Sequence, residues 1–578
     1  MKKLHLAQAL GDVRADLVLK HCSLVNVLSG EIEEDVEIAI VGNEIVGVGQ
    51  GYEGEQVIDV AGRYVYPGLI DAHIHLESTK LTIPEVARMM ARFGTAAVIT
   101  DPHEIGNVAG LDGIVYQMDS AKNNGFIDVL FVAPSCVPTL TDASIETAPS
   151  VLGADKLRMV AEHPDVVGLG EMMNAAGVLM GDAQVIEKVR DYRARGLVVD
   201  GHAPMIGGKP LNAYIYMGIQ SDHESTQLEE AREKLRRGMV VMIREGSSER
   251  NLDDLLPLIN GYNTGRLMFA SDDLDPTDLQ ARGHINHLIR RAVAAGVPPM
   301  TAIQMATLSP ANYFGVSDRM GAIFPGARAN IVIAPDLERF EPDVVLHEGK
   351  VVFRDGRLVD DGVRPSVALR PMMHVSLPAD ISVKAEGRLA RAIELVPGQI
   401  VTKEAMFEPK THDGCIVADA SQDIAKVCVF ERHRGSGAFG VAFVRGFGMK
   451  RGAMGSSVGH DSHNLVVVGM EDEEILKCAA VIRDMQGGQA AVLGDEMARL
   501  PLPVAGLMSN DSAENVIAME KALDAFCAQR LGVTLPRPMA ALSFMALPVI
   551  PTLRITDQGL FYIAPGGYPK KVGIWVNS

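Results

Sequence analysis

His73 and His75 stand two residues apart in PGLIDAHIHLEST, residues 67–79. On a β-strand, side chains at i and i+2 leave the same face, so both imidazoles can reach one cation. Imidazole and carboxylate groups then recur at the ends of later apolar runs. VITDPHE offers Asp101, His103 and Glu104, VVGLGE ends in Glu171, LVVDGH ends in His202, and GIQSDHE ends in His223 and Glu224. VVMIREGSS carries Arg244, Glu245 and Ser247, and LMFASDD ends in Asp272-Asp273. Taken singly, each has a plain structural explanation: a histidine after a strand commonly serves a turn, and Asp272 or Asp273 could cap the helix that follows. Taken together, His73, His75, Glu171, His202, His223 and Asp272 form a nitrogen and oxygen donor set suited to Zn, Mn or Fe(II). Six donors exceed the needs of one tetrahedral ion, so two ions bridged by a carboxylate or hydroxide fit the count. Water on such an ion ionises near pH 7, which makes metal-assisted hydrolysis the implied chemistry.

Elements with regular spacing must position these groups. Between residues 67 and 320, short β-branched runs at 68–75, 95–101, 127–133, 165–171, 197–202, 217–223, 239–244 and 266–271 alternate with amphipathic stretches such as DAQVIEKVRDYRARG. Eight strand–helix units in about 250 residues match a (β/α)8 TIM barrel, whose active site is built at the C-terminal strand ends. A doubly wound sheet is the alternative, but no G-x-G-x-x-G follows the first strand. Residues 1–66 and 321–384 are rich in short strands with hairpin turns, including a later block at 329–336, 343–359 and 366–371. These two blocks predict a small discontinuous β-sandwich into which the barrel is inserted. Residues 385–578 change register again and predict a C-terminal mixed α/β domain.

Composition narrows the class. The 578 residues carry a formal net charge of −19, which argues against nucleic acid held by phosphate contacts. The six cysteines are scattered without a C-x-x-C pair and read as reduced and mostly buried, as in a cytoplasmic protein. No apolar run reaches the roughly 18 residues of a membrane span. Asp12, Arg14 and Asp16 interrupt any signal-peptide core after Lys2-Lys3. A soluble enzyme with no membrane partner is expected.

The segments HIHLEST (73–79), TDPHEIGNVAG (100–110), GLGEMMN (168–174), DGHAP (200–204), SDHEST (221–226), REGSS (244–248) and SDD (271–273) resemble the amidohydrolase superfamily, and within it the adenine deaminases. The resemblance continues into the C-terminal block with GHDSHN at 459–464. It implies hydrolytic deamination of adenine to hypoxanthine and ammonia by a metal-activated hydroxide at a binuclear centre, with Mn(II) or Fe(II) favoured over Zn(II). His73, His75 and Asp272 would hold one ion, His202 and His223 the other, and Glu171 would bridge them. Asp272 would also carry the nucleophile's proton to the departing ammonia. Glu104, backed by His103 and Asp101, would protonate the ring nitrogen, with Glu224 as the second choice. Arg244, Glu245, Ser247 and Glu77 would contact substrate or support the groups that do. A purine is the implied small-molecule partner, and a homo-oligomer, with a dimer favoured, is the implied assembly.

Other readings fit less of the sequence. Hydantoinase-like relatives bridge their metals with a carbamylated lysine where this chain has Glu171, which argues against cyclic-amide hydrolysis. Zinc deaminases of nucleic-acid editing use H-x-E with P-C-x-x-C, and the second motif is missing. The same site acting on another aminated heterocycle or small cyclic amide is the alternative function. A non-catalytic scaffold is disfavoured because every expected ligand position holds a competent residue. The glycines of 445–459 lack the P-loop pattern. GHDSHN is open between a polar turn, an extra metal site and a loop reaching an active site.

Overall fold

The computed structural model of the chain describes residues 5–359, 367–397, 399–564 and 567–576. Its centre is a ring of eight parallel strands: β1 (Leu69–Ile74), β2 (Thr95–Thr100), β3 (Asp128–Ala133), β4 (Val166–Met172), β5 (Val198–Gly201), β6 (Ser221–Asp222), β7 (Val240–Arg244) and β8 (Leu267–Ala270). Strands β1 to β5 pair in sequence order, as do β6 to β8. The ring closes where the Asp272 N–H donates to His73 O at 2.9 Å and the His75 N–H to Asp272 O at 3.3 Å. Between β5 and β6, the Gln220 N–H donates to Val199 O at 2.9 Å. These strands are nearly continuous apolar runs because parallel strands are covered on both faces. Ile70, Ala97, Ile99, Leu130, Val132, Met242 and Met268 share one core cluster drawn from around the ring.

All eight expected strands are present, most of them shorter than their apolar runs. The sixth is the most curtailed. Met217 and Gly218 end the preceding helix instead of opening β6, with Gly218 at φ +111 and its N–H bonded to Ile215 O at 2.9 Å.

The two flanking blocks join into one nine-stranded sheet. Tyr64–Pro67 pairs antiparallel with Ile331–Ala334, with Val332 opposite Tyr66, and Gly68 then leads straight into β1. Leu17, Leu24 and Ile38 from one end of the sheet share a core with Ile331, Val344 and Leu346 from the other, so the sheet folds over itself in the manner of a sandwich. The run at 366–371 is not a strand: residue 366 lies outside the described residues and 367–371 has no regular structure. Lys2-Lys3 also lie outside the described residues.

The C-terminal region contains an eight-stranded sheet, packed by helices Asp472–Asp484 and Ala513–Phe526. Two of its parts reach the C-terminal rim of the barrel: the segment between strands Ala453–Ser456 and Leu465–Gly469, and helix Pro538–Phe544. All six cysteines are free, and all but Cys415 are buried. Among the described residues, no helix is long and apolar enough to cross a membrane.

Candidate active site

His73 lies near the end of β1 and His75 one residue past it, and both are buried. His75 Nδ1 is 3.0 Å from Asp101 O. A carbonyl only accepts, so Nδ1 carries a proton and Nε2 is the nitrogen that faces the site. The Nε2 atoms of His73 and His75 are 3.2 Å apart, and Asp272 Oδ1 lies 3.5 Å and 3.2 Å from them. Asp272 adopts φ 59, a left-handed conformation that aspartate tolerates better than most residues. That bend at the end of β8 aims one carboxylate oxygen at the histidines and the other at Arg244.

Glu171, at the end of β4, stands between two groups of imidazoles. Its Oε1 is 3.2 Å from His75 Nε2 and 4.0 Å from His73 Nε2, while Oε2 is 2.6 Å from His202 Nδ1 and 3.2 Å from His223 Nε2. Burial alone would raise the Glu171 carboxyl, but His202, His223 and His75 hold it well below the usual carboxylate range. Ser135 Oγ donates to Glu171 O at 2.5 Å, so the run after β3 braces this residue.

Arg244 ends β7 and joins two acids. Nη1 and Nη2 donate to the two oxygens of Glu224 at 2.6 and 3.0 Å, and Nη1 also meets Asp272 Oδ2. Burial opposes ionisation of Asp272, yet Arg244 and the two histidines of β1 hold its carboxyl well below the usual range. Glu224 Oε1 also lies 3.3 Å from His223 Nε2. Ser247 lines the adjoining cleft and donates to Asp278 Oδ2 at 2.6 Å. The structure does not bring Glu245 to this cluster. Successive side chains on a strand leave opposite faces, so with Arg244 turned inward Glu245 turns out, where Arg291 Nη1 donates to it at 2.5 Å.

His103 and Glu104 open the helix His103–Ala109 after β2. His103 Nδ1 is 3.5 Å from Glu171 Oε1, and its Nε2 is 3.4 Å from Glu104 Oε1. Asp101 sits beneath, accepting the Glu171 N–H at 3.0 Å. Glu104 is 2 % exposed and is met from the other side by the GHDSHN segment: His460 Nδ1 lies 2.7 Å from Oε1, and His463 Nε2 lies against Oε2. That segment therefore reaches the barrel rim of its own chain, one of the alternatives its sequence left open. Glu77 accepts the Ile105 N–H at 3.2 Å, and burial pushes its carboxyl up to about 7. A cleft between barrel and C-terminal sheet is lined by Glu77, Ser78, Asp273, His460 and Phe544.

Sequence reasoning missed Phe544, Lys80 and Glu249. Phe544 stacks on His460 with centroids 4.5 Å apart, and its helix PMAALSF carries no motif. Burial and Asp273 push the Glu249 carboxyl up to about 8, and only its place shortly after REGSS pointed toward it.

The donor set fits a divalent cation. His73, His75 and Asp272 bring ligand atoms within 4.8 Å of one another, as do His73, Glu171 and His223, and also His202, His223 and Glu224. Burial lowers the basicity of His75, but Asp272 and Glu171 outweigh it and raise the imidazole well above its usual value. So much buried negative charge calls for a positive partner, and convergent imidazole and carboxylate atoms are the ligands a borderline cation takes.

The Amidohydrolase family model matches residues 64–359, and the model of the adenine deaminase C-terminal domain matches residues 399–565. An adenine deaminase of Desulfatibacillum aliphaticivorans is 42% identical over 96% of this chain and 97% of its own length. One from Methanothrix thermoacetophila is 43% identical over 97% of this chain and 98% of its own. Among solved structures, the β-aspartyl dipeptidase of Fervidobacterium islandicum AW-1 aligns with 61% of this chain and 100% of its own, at 15% identity and a TM-score of 0.46. With both models matched in order and near-full-length identity above two-fifths, the chain belongs to the amidohydrolase family and, within it, to the adenine deaminases.

Proposed function

We propose that this chain hydrolyses adenine to hypoxanthine and ammonia at a binuclear centre. Family membership supports the reaction, and the observation that carries the centre is Glu171. Its two oxygens face different histidine pairs, His73 and His75 on one side and His202 and His223 on the other. His73, His75 and Asp272 would hold one Mn(II) or Fe(II) ion, and His202 and His223 a second, with Zn(II) also compatible with these ligands. Such ions supply Lewis acidity and make water nucleophilic near neutral pH.

The chain's residues do the rest. Asp272, kept ionised by Arg244, accepts the nucleophile's proton and passes it to the departing amine. Glu104 protonates the adjacent ring nitrogen as the amine-bearing carbon becomes tetrahedral. His103 and Asp101 support Glu104 and Glu171, and Glu224 anchors Arg244. Glu77 and Ser247 border the cleft through which the purine would enter. The free, mostly buried cysteines support a cytoplasmic setting, and self-association as a dimer belongs to the same reading.

The test is ammonia release from adenine by protein reconstituted with Mn(II) or Fe(II), beside a panel of other aminated heterocycles and cyclic amides. Two metal equivalents per chain are expected, falling to about one in His202→Ala. Adenine turned over no faster than the other amines, or a single metal equivalent in the parent protein, would refute the proposal. Light scattering checks the dimer.

A further inference from the structure

Adenine plus water gives hypoxanthine plus ammonia with no net change in protons. If Glu104 gives a proton to the ring nitrogen, as the reading above has it, that proton must return from the next nucleophilic water. Glu104 is almost sealed, at 2 % exposed. Three imidazoles touch it: His103 from its own helix, and His460 and His463 from the C-terminal region. His103 faces inward to Glu171 at 3.5 Å. His463 is sealed at 0 % exposure, and its Nδ1 accepts the Gly459 N–H at 3.2 Å, which leaves it no nitrogen free to exchange with cleft water. Only His460 has both properties that a link needs: Nδ1 lies 2.7 Å from Glu104 Oε1, and the residue lines the cleft.

We infer that His460 is the proton shuttle between cleft water and Glu104, which makes a residue of the C-terminal sheet region part of the deamination machinery of the barrel. The imidazolium N–H bond at Nδ1 breaks as the O–H bond on Glu104 forms. The ring, left neutral, takes up the proton released into cleft water when the next nucleophile forms, so the cycle balances. Phe544 stacked on the ring at an interplanar angle of 17° holds its plane toward Glu104. Burial disfavours the charged ring, but Glu104, Asp273 and Asp461 raise it to about 9. Against burial, His460, His463 and His103 hold the Glu104 carboxyl well below its usual range. Between turnovers the proton therefore rests on His460, and it passes to Glu104 only as the ring nitrogen takes the Glu104 proton.

Three variants of the metal-loaded enzyme test this. His460→Ala should lower kcat about 100-fold, with KM for adenine and metal content little changed. Imidazole added to the buffer should restore at least about tenfold of that loss by entering the cleft, while having no effect on the parent protein or on the sealed His463→Ala. His460→Asn keeps an N–H donor where Nδ1 stood but cannot shuttle a proton, so it should be as slow as the alanine variant; it also serves if His460→Ala fails to fold. Full activity in either variant, recovery by asparagine alone, or a loss that imidazole leaves untouched in folded, metal-loaded protein would overturn the inference. Glu104→Gln, run in parallel, separates the two levels. An active Glu104→Gln refutes the role given to Glu104, whereas an inactive one beside an unimpaired His460→Ala refutes the shuttle alone.

Discussion

Asp101 Oδ2 accepts the backbone N–H of Glu171 at 3.0 Å, so a carboxylate from β2 fixes the residue that stands between the two histidine pairs. Gly170 makes this approach possible, because a Cβ at 170 would overlap the Asp101 carboxylate. Gly170→Ala is therefore expected to displace either Asp101 or Glu171. Supporting groups of this kind typically affect metal affinity 10–100-fold, so about that loss is expected in a chelator competition. Activity should return in part at high metal concentration. An alanine variant that holds metal as tightly as the parent would refute this account of the glycine.

Arg244 is expected to matter through Glu224 and Asp272 more than through substrate, since the hydrogen bonds of its guanidinium go to those two carboxylates. Removing the guanidinium leaves two buried acids without their cation. Arg244→Met should lower kcat by more than about tenfold while changing KM little, since an interaction that serves the transition state alone appears in kcat. Arg244→Lys should recover only part, because an ammonium cannot reproduce the forked contact to Glu224. A large rise in KM with kcat intact would instead place Arg244 on the substrate.

How far the sequence could be read follows from how local each signal is. His73 and His75 are legible as candidate ligands because strand alternation is a property of the nearest residues, and the other candidates because each closes an apolar run. The REGSS resemblance implies a site role for Glu245 beside Arg244, but adjacency on a strand sends the two to opposite faces. The apolar run 217–223 overstates the sixth strand because Met217 and Gly218 suit a strand or a helix end alike, and the Gly218 φ of +111 with its N–H bond to Ile215 O decides for the helix end. GHDSHN displayed its histidines openly, but nothing near them in the chain says that Glu104 is their partner. Phe544 and Lys80 gain their roles only from contact between segments far apart in sequence, and no local pattern records that.

Lys80 ties the two regions together. It lies at φ 59 just after the turn that follows His75, and its Nζ meets Asp275 from the barrel and Glu520 from the C-terminal region, the latter at 2.7 Å. Thr277 Oγ1 donates to the same Glu520 at 2.5 Å. Breaking one side of a buried ion pair costs about 3–5 kcal/mol because the abandoned charges stay buried. Lys80→Met is expected to lose toward the lower end of that range, since Asp275 remains partly exposed. The loss should appear as a lower unfolding temperature and as faster proteolysis of the junction. Lys80→Met with Glu520→Gln should be less destabilised than the sum of the singles, and strict additivity would mean that the pair does not couple.

Glu146 sets a pH dependence of its own. It is 4 % exposed, and burial, joined by Asp461 and Asp557 and opposed only by Ser462, pushes its carboxyl from 4.5 up to about 8. The folded chain therefore holds a proton that the unfolded chain releases near 4.5. Its contribution is fully present below that lower value and is lost as pH rises through about 8, with a slope of at most about 1.4 kcal/mol per pH unit. Ionised Glu146 would face Asp461 and Asp557, next to the segment that carries His460. Glu146→Gln keeps the shape and removes the titration. The variant should match the parent near pH 5 and exceed it in unfolding temperature at pH 9, measured at fixed metal concentration. Parallel stability profiles for the two proteins from pH 5 to 9 would show that the Glu146 carboxyl is not the group being titrated.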